Sequence, residues 1–130
     1  MAFEKFVPKT NKLPNLKPVY LRIAPGGSCY LSAGFRDLQP EPYSSLEFEY
    51  DPITLEFRFR VGKDYLYKVL SGAFSLPAEL TRLITSRSGT RYNRMFYYRI
   101  IEQSEGWFTG EFVSVNKAPK HYKIAKEEKE

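Results

Sequence analysis

A short segment occurs twice in this chain, and the repetition limits the possible folds more than any other feature. From Gly72 to Ile84 the chain reads Gly-Ala-Phe-Ser-Leu-Pro-Ala-Glu-Leu-Thr-Arg-Leu-Ile. Gly72 suits a turn, and Phe74 and Leu76, two apart, share one face of a short strand. Pro77 ends that strand and opens a helix, because the amide hydrogen it lacks would find no intrahelical acceptor there. Leu76, Leu80, Leu83 and Ile84 are expected on one side of this helix. Earlier, Gly27 to Leu38 reads Gly-Ser-Cys-Tyr-Leu-Ser-Ala-Gly-Phe-Arg-Asp-Leu. At an offset of 45 residues Gly27 matches Gly72, Leu31 matches Leu76, Ala33 matches Ala78 and Leu38 matches Leu83. Phe35 stands for Leu80. Ser32, a good helix N-cap, stands for Pro77. Upstream, Tyr20-Leu21 matches Tyr65-Leu66.

A candidate hairpin follows each copy. The first runs from Leu46 to Phe59 and turns at Asp51-Pro52; the second runs from Phe96 to Phe112 and turns near Gln103 to Gly106. Leu46-Glu47-Phe48-Glu49-Tyr50 and Leu55-Glu56-Phe57-Arg58-Phe59-Arg60 alternate strictly, as strands with one wet face do. Glu47 and Glu49 are expected to face Arg58 and Glu56 across the ladder. Phe96, Tyr98 and Ile100 share one face of the second hairpin, and Tyr97, Arg99 and Ile101 the other. The prediction is an α+β fold, mostly antiparallel β with two short helices, built as a pseudo-twofold repeat of strand, turn, helix and hairpin. Val19 to Ile23, Cys29 to Leu31 and Asp64 to Leu70 supply the remaining strands; Ala33 to Leu38 and Ala78 to Ile84 are the helices.

A chain of 130 residues is one domain with room for a core. The expected division is a basic arm over 1–18, a two-repeat domain over 19–113 and a charged tail over 114–130. The domain splits into a first unit, 19–61, and a second, 62–113. Pro8, Pro14 and Pro18 punctuate the arm, which reads as a partly docked leader or as a segment following a phosphate backbone. The tail reads as solvated. No segment approaches the ~20 apolar residues of a membrane span, and no apolar run marks a leader. Cys29, the only cysteine, cannot form an internal disulfide. A reducing, cytoplasmic setting fits it, and it reads as a small buried apolar residue.

The net charge of +5 is uneven. Its surplus lies in the two tails and the second unit, which suits an anionic partner or simply solubility. Thr85 to Arg94 is longer than its counterpart Gln39 to Ser45 and is the main break in the symmetry. It carries Arg87, Arg91, Tyr92, Asn93 and Arg94, with no acid from Thr81 to Ile101. Arg forks match phosphate or guanine edges, Tyr stacks on a base and Asn reads adenine. The alternative is an ordinary flexible loop whose arginines serve solubility. No catalytic constellation is legible. His121 is the only histidine and lies in the tail, and with Cys29 it makes two of the four ligands a zinc site needs. No cofactor or metal is expected.

The two copies resemble the half-unit of the AbrB-like swapped-hairpin transcription factors, with Leu76-Pro77-Ala78-Glu79-Leu80 the closer match. MraZ-type proteins carry two such units in one chain. The resemblance covers residues 19–112 and implies a compact β-rich domain, an AbrB-like barrel, DNA binding through basic residues and oligomerisation. Where that family places an Arg or Lys after the motif glycine, this chain has Ser28 and Ala73, and the entering strands offer only Arg22 and Lys68. The chain also looks like small proteins of bacteria and their phages with the same two-unit pattern. A phage origin would imply an inhibitor of a host defence system.

Two functions therefore stand. One is a non-enzymatic DNA-binding or transcription-regulatory protein, its partner double-stranded DNA and its contacts Arg87, Arg91, Tyr92, Asn93, Arg94, Lys68 and Arg22. The other is a phage-type inhibitor that contacts a host protein through Tyr43, Tyr92, Tyr97 and Trp107, since Tyr, Trp and Arg dominate protein hot spots. An enzyme with an unseen site is the third. With two units in one chain, a monomer or weak homodimer is expected.

Overall fold

The computed structural model describes residues 17–86 and 94–126. The chain runs β1 (Leu21–Ile23), β2 (Ser28–Leu31), α1 (Ala33–Asp37), β3 (Ser45–Tyr50) and β4 (Phe57–Gly62). It continues β5 (Tyr67–Lys68), β6 (Ala73–Ser75), α2 (Ala78–Ser86), β7 (Phe96–Glu102), β8 (Phe108–Val115) and β9 (Ala125–Lys126). One sheet holds all nine strands, in the order β5-β3-β4-β8-β7-β1-β2-β6. Every pairing on that path is antiparallel; β9 joins β7 in parallel. A single bridge between Leu70 and Ala73 links the two ends, so the sheet is a nearly closed barrel.

Two glycine turns hold the centre. Gly27 and Gly72 have φ of 107° and 86°, where a side chain is strained. A Cβ on Gly27 would strike the Leu76 carbonyl oxygen, and one on Gly72 the Leu31 carbonyl oxygen. The bare backbones approach closely and bond: Leu76 N–H donates to the Gly27 carbonyl at 2.9 Å, and Leu31 N–H to the Gly72 carbonyl at 2.8 Å. Between these bonds β2 lies against β6, with Cys29 opposite Phe74. Ser71 also has positive φ, giving the tight two-residue turn that joins Leu70 to Ala73.

Inward positions fill the barrel: Leu21, Ile23, Leu31, Leu46, Phe59, Phe96 and Ile100 are fully buried. Phe35 on α1 is buried among them, its ring edge-on to Phe108 at 5.1 Å and to Phe59 at 6.0 Å. The Ser32 hydroxyl caps α1, accepting from the Phe35 N–H at 3.3 Å and the Tyr20 N–H at 3.0 Å.

The other helix turns differently from its expected apolar side. Leu83 is 47% exposed, and the buried residues of α2 are Thr81, Ile84 and Thr85. The two threonines can be buried because their hydroxyls are satisfied. Thr81 donates to the Pro25 carbonyl at 2.8 Å, tying α2 to the first glycine turn, and Thr85 donates to the Thr81 carbonyl at 2.7 Å.

Three further expectations shift. The strand over Asp64 to Leu70 shortens to Tyr67–Lys68. The first hairpin turns through six residues, 51–56, so Glu47 faces Arg60 and Glu49 faces Arg58. The backbone of the segment read as a solvated tail is docked. Pro119 is buried, Val19 N–H donates to the His121 carbonyl at 2.6 Å, and β9 pairs with β7 at Ile101 and Glu102.

Candidate nucleic-acid interface

Of the contact residues singled out in the sequence, Arg87, Arg91, Tyr92 and Asn93 lie outside the described residues. Arg94 is exposed, one residue before Met95 at the foot of β7. Lys68 is exposed on β5. Arg22 is half-buried on the outer face of β1, in register with Tyr30 and Tyr97, and its guanidinium stacks on the Tyr30 ring at 4.8 Å. Arg22 and Lys68 are on strands separated by β2 and β6, so they belong to different parts of the barrel surface.

Arg22 is one member of an aromatic cluster. The Tyr20 ring is 5.1 Å from Tyr97 and 6.2 Å from Tyr30. Partial burial raises the Tyr20 phenol above its ordinary pKa, helped by Tyr30 and Tyr97 and opposed by Arg22.

The residues proposed for protein contact are less open than expected. Trp107 is 7% exposed because Arg58 and Arg60 lie over its ring, at 3.9 and 4.5 Å. Both arginines are also ion-paired, Arg58 to Glu49 at 2.7 Å and Arg60 to Glu47 at 2.6 Å. Tyr97 is 9% exposed, and Tyr43 is half-buried. Burial pushes the Tyr43 phenol up to about 12, against the pull of Arg36. Tyr92 is outside the described residues. None of the three described aromatics is an open hot spot, because side chains from neighbouring elements cover them.

The fold joins two basic stretches that are far apart in sequence. Met95 N–H donates to the Asn116 side-chain oxygen at 2.9 Å, and Asn116 N–H donates to the Met95 carbonyl at 2.7 Å. Arg94 and Lys117 therefore flank one backbone pair at the foot of the β7–β8 hairpin. From there the docked segment carries Lys117, Lys120, Lys123 and Lys126, every third residue, with His121 among them and no acid over 117–126. The four lysines are exposed while their backbone is held. In the sequence this segment reads only as a tail, although its spacing and its lack of acids are visible there; composition alone does not say that its backbone docks.

A cleft of about 600 Å³ opens where β4 and β8 part. Those strands pair only at Arg58–Thr109 and Phe59–Phe108. Phe57, Ile84 and Phe112 line the cleft together with Glu56 and Glu111, and these carboxylates make it a poor seat for phosphate. Among the described residues no group of three His, Cys, Asp or Glu could hold a metal, and no helix is long and apolar enough to cross a membrane. No family model, curated protein or solved structure matches the chain.

Proposed function

We propose that the chain is a non-enzymatic, cytoplasmic regulatory protein that binds double-stranded DNA along its basic β7 side. The observation that carries this reading is the Met95–Asn116 pair, which brings Arg94 next to Lys117 at the start of the lysine-bearing segment. No acid lies from Thr81 to Ile101 or from Lys117 to Lys126, so each stretch can exchange its counterions for phosphates. The sheet order adds support for the AbrB-like resemblance. Exchanging β1–β4 with β5–β8 turns the path β5-β3-β4-β8-β7-β1 into its own reverse. Each hairpin pairs with the first strand of the other half: β3 with β5, and β7 with β1. The Gly27 and Gly72 bonds exchange under the offset of 45, and so do Cys29 and Phe74. These correspondences favour two copies of one unit in a swapped-hairpin barrel.

The test is a duplex titration of the wild type and of Arg87→Ala/Arg91→Ala/Arg94→Ala at two salt concentrations. The variant should bind more weakly, and its slope of log affinity against log salt should flatten by about 0.9 for each phosphate that the variant no longer neutralises. An unchanged slope would remove the loop from the interface. Absence of duplex binding by the wild type at low salt would overturn the reading.

A second reading, contact with a host protein as an inhibitor, is favoured by Leu66 and Leu70. They are 81% and 80% exposed on either side of β5. They offer apolar side chains that a protein partner would cover, and this reading gains if wild type has no duplex affinity.

A further inference from the structure

An open pocket of about 380 Å³ between the docked C-terminal segment and β7 is lined by Arg99, Lys120, His121 and Lys123. We propose that this pocket is a phosphate site, which seats a backbone phosphate of the same duplex beyond the Arg94–Lys117 corner. The inference rests on the nucleic-acid reading and deepens it, placing one phosphate at Lys120 and Lys123 of the lysine-bearing segment.

Three observations carry it. First, among the described residues the lining brings together four basic side chains and no carboxylate. Second, the walls are held in place. Arg99 stands in the middle of β7, between Tyr98, paired with β1, and Ile101, paired with β9. The facing segment is pinned by the Val19–His121 bond and by the β9 ladder. A charge on a fixed backbone loses less freedom when it binds than one on a free tail. Third, Arg99 has capacity to spare. Its ion pair to Glu111 is long at 3.9 Å and exposed, so it satisfies little of the guanidinium. A planar guanidinium can fork onto two phosphate oxygens, while Lys120 and Lys123 supply point charges around them. At this volume the pocket has room for a phosphate with its sugar, which suits a backbone better than a lone ion.

His121 provides a direct probe because it is the only histidine in the chain. Its imidazole resonances are followed by NMR as a DNA duplex is added to the full-length protein. In parallel, duplex affinity is measured across a salt series for wild type, Lys120→Gln/Lys123→Gln, and Lys63→Gln as a remote exposed control. The site predicts a saturable shift of the His121 signals. It also predicts that the double variant lowers the salt slope by roughly 1.8, about 0.9 per lysine, while the control leaves it unchanged. Wild-type binding with unmoved His121 signals and an unchanged slope in the double variant overturns the pocket and leaves the interface at the loop standing. Failure of wild type to bind duplex at low salt overturns both.

Discussion

Cys29 is chemically silent in the folded chain. Its side chain is buried opposite Phe74 and its thiol donates to the Gly27 carbonyl at 3.5 Å. Burial pushes the thiol up to about 12, against a smaller opposing effect of a backbone hydrogen bond from Leu76. Because the folded pKa is raised, this contribution to stability is complete below the unfolded thiol's value near 9 and is lost as pH climbs towards 12. Native protein at pH 8 is expected to resist a thiol-specific reagent and to release one reactive thiol in denaturant; rapid labelling of native protein would contradict the burial. The glycines beside it separate in the same way. Gly27→Ala, strained at positive φ and aimed at the Leu76 carbonyl, should cost more than about 1 kcal/mol. Gly26→Ala has open space around it and should stay within about 0.5 kcal/mol in the same denaturant titration. The demand for glycine at 27 and 72 was legible from their place in the repeated motif. The collision that enforces it, with a carbonyl far along the chain, was not.

Among the elements, the short strands depend on side-chain burial because each makes few ladder bonds. Leu31 and Leu76 are 0% and 5% exposed at matching places in β2 and just beyond β6. Truncating either to Ala should destabilise by about 2–5 kcal/mol, and a large difference between the two would argue against equivalent roles. The first hairpin depends on Asp51, whose carboxylate accepts from the Ile53 N–H at 2.7 Å and the Thr54 N–H at 3.2 Å. Those bonds lower its pKa from the ordinary 3.8. The stabilisation is therefore present above 3.8 and is lost as pH falls through the lowered value. Asp51→Ala should erase that acid-side component, read as the difference between the two proteins' stability–pH curves. The alternation of Leu46 to Tyr50 and Phe57 to Arg60 was enough to recognise a hairpin, but the length of its turn set the register. Since side chains alternate with a period of two, a two-residue change kept each face and replaced every cross-strand partner. For α2, leucine spacing pointed to one side, yet the Pro25 carbonyl drew Thr81 inward instead.

For the molecule as a whole, the near-closed sheet leaves little edge for a partner to complete. β5 and β6 meet through one bridge, and β9 pairs with β7 beyond the end of β1. A monomer or weak dimer is expected in sedimentation at micromolar concentration, and a tight higher oligomer would refute that. Deleting residues 117–130 should lower thermal stability, because it uncovers the Val19 N–H and the β7 backbone at Ile101 and Glu102. A tail that merely hung in solvent could be removed without effect.

The sequence by itself determined the types and order of the elements from β1 to β8, though not β9, because alternation, turn glycines and the Ser32 cap act over a few residues. It also marked the apolar face of the first hairpin, since side chains alternate with a two-residue period wherever one side is apolar. Only the tertiary structure decided which strands meet: β3 with β5, β7 with β1, and β4 with β8. These contacts depend on closing long loops around a shared core, and no local pattern encodes that closure. The same holds for charge. Arg99, Lys120, His121 and Lys123 read as a strand residue and a tail, and they became one pocket because the tail's backbone found hydrogen-bond partners at Val19 and along β7.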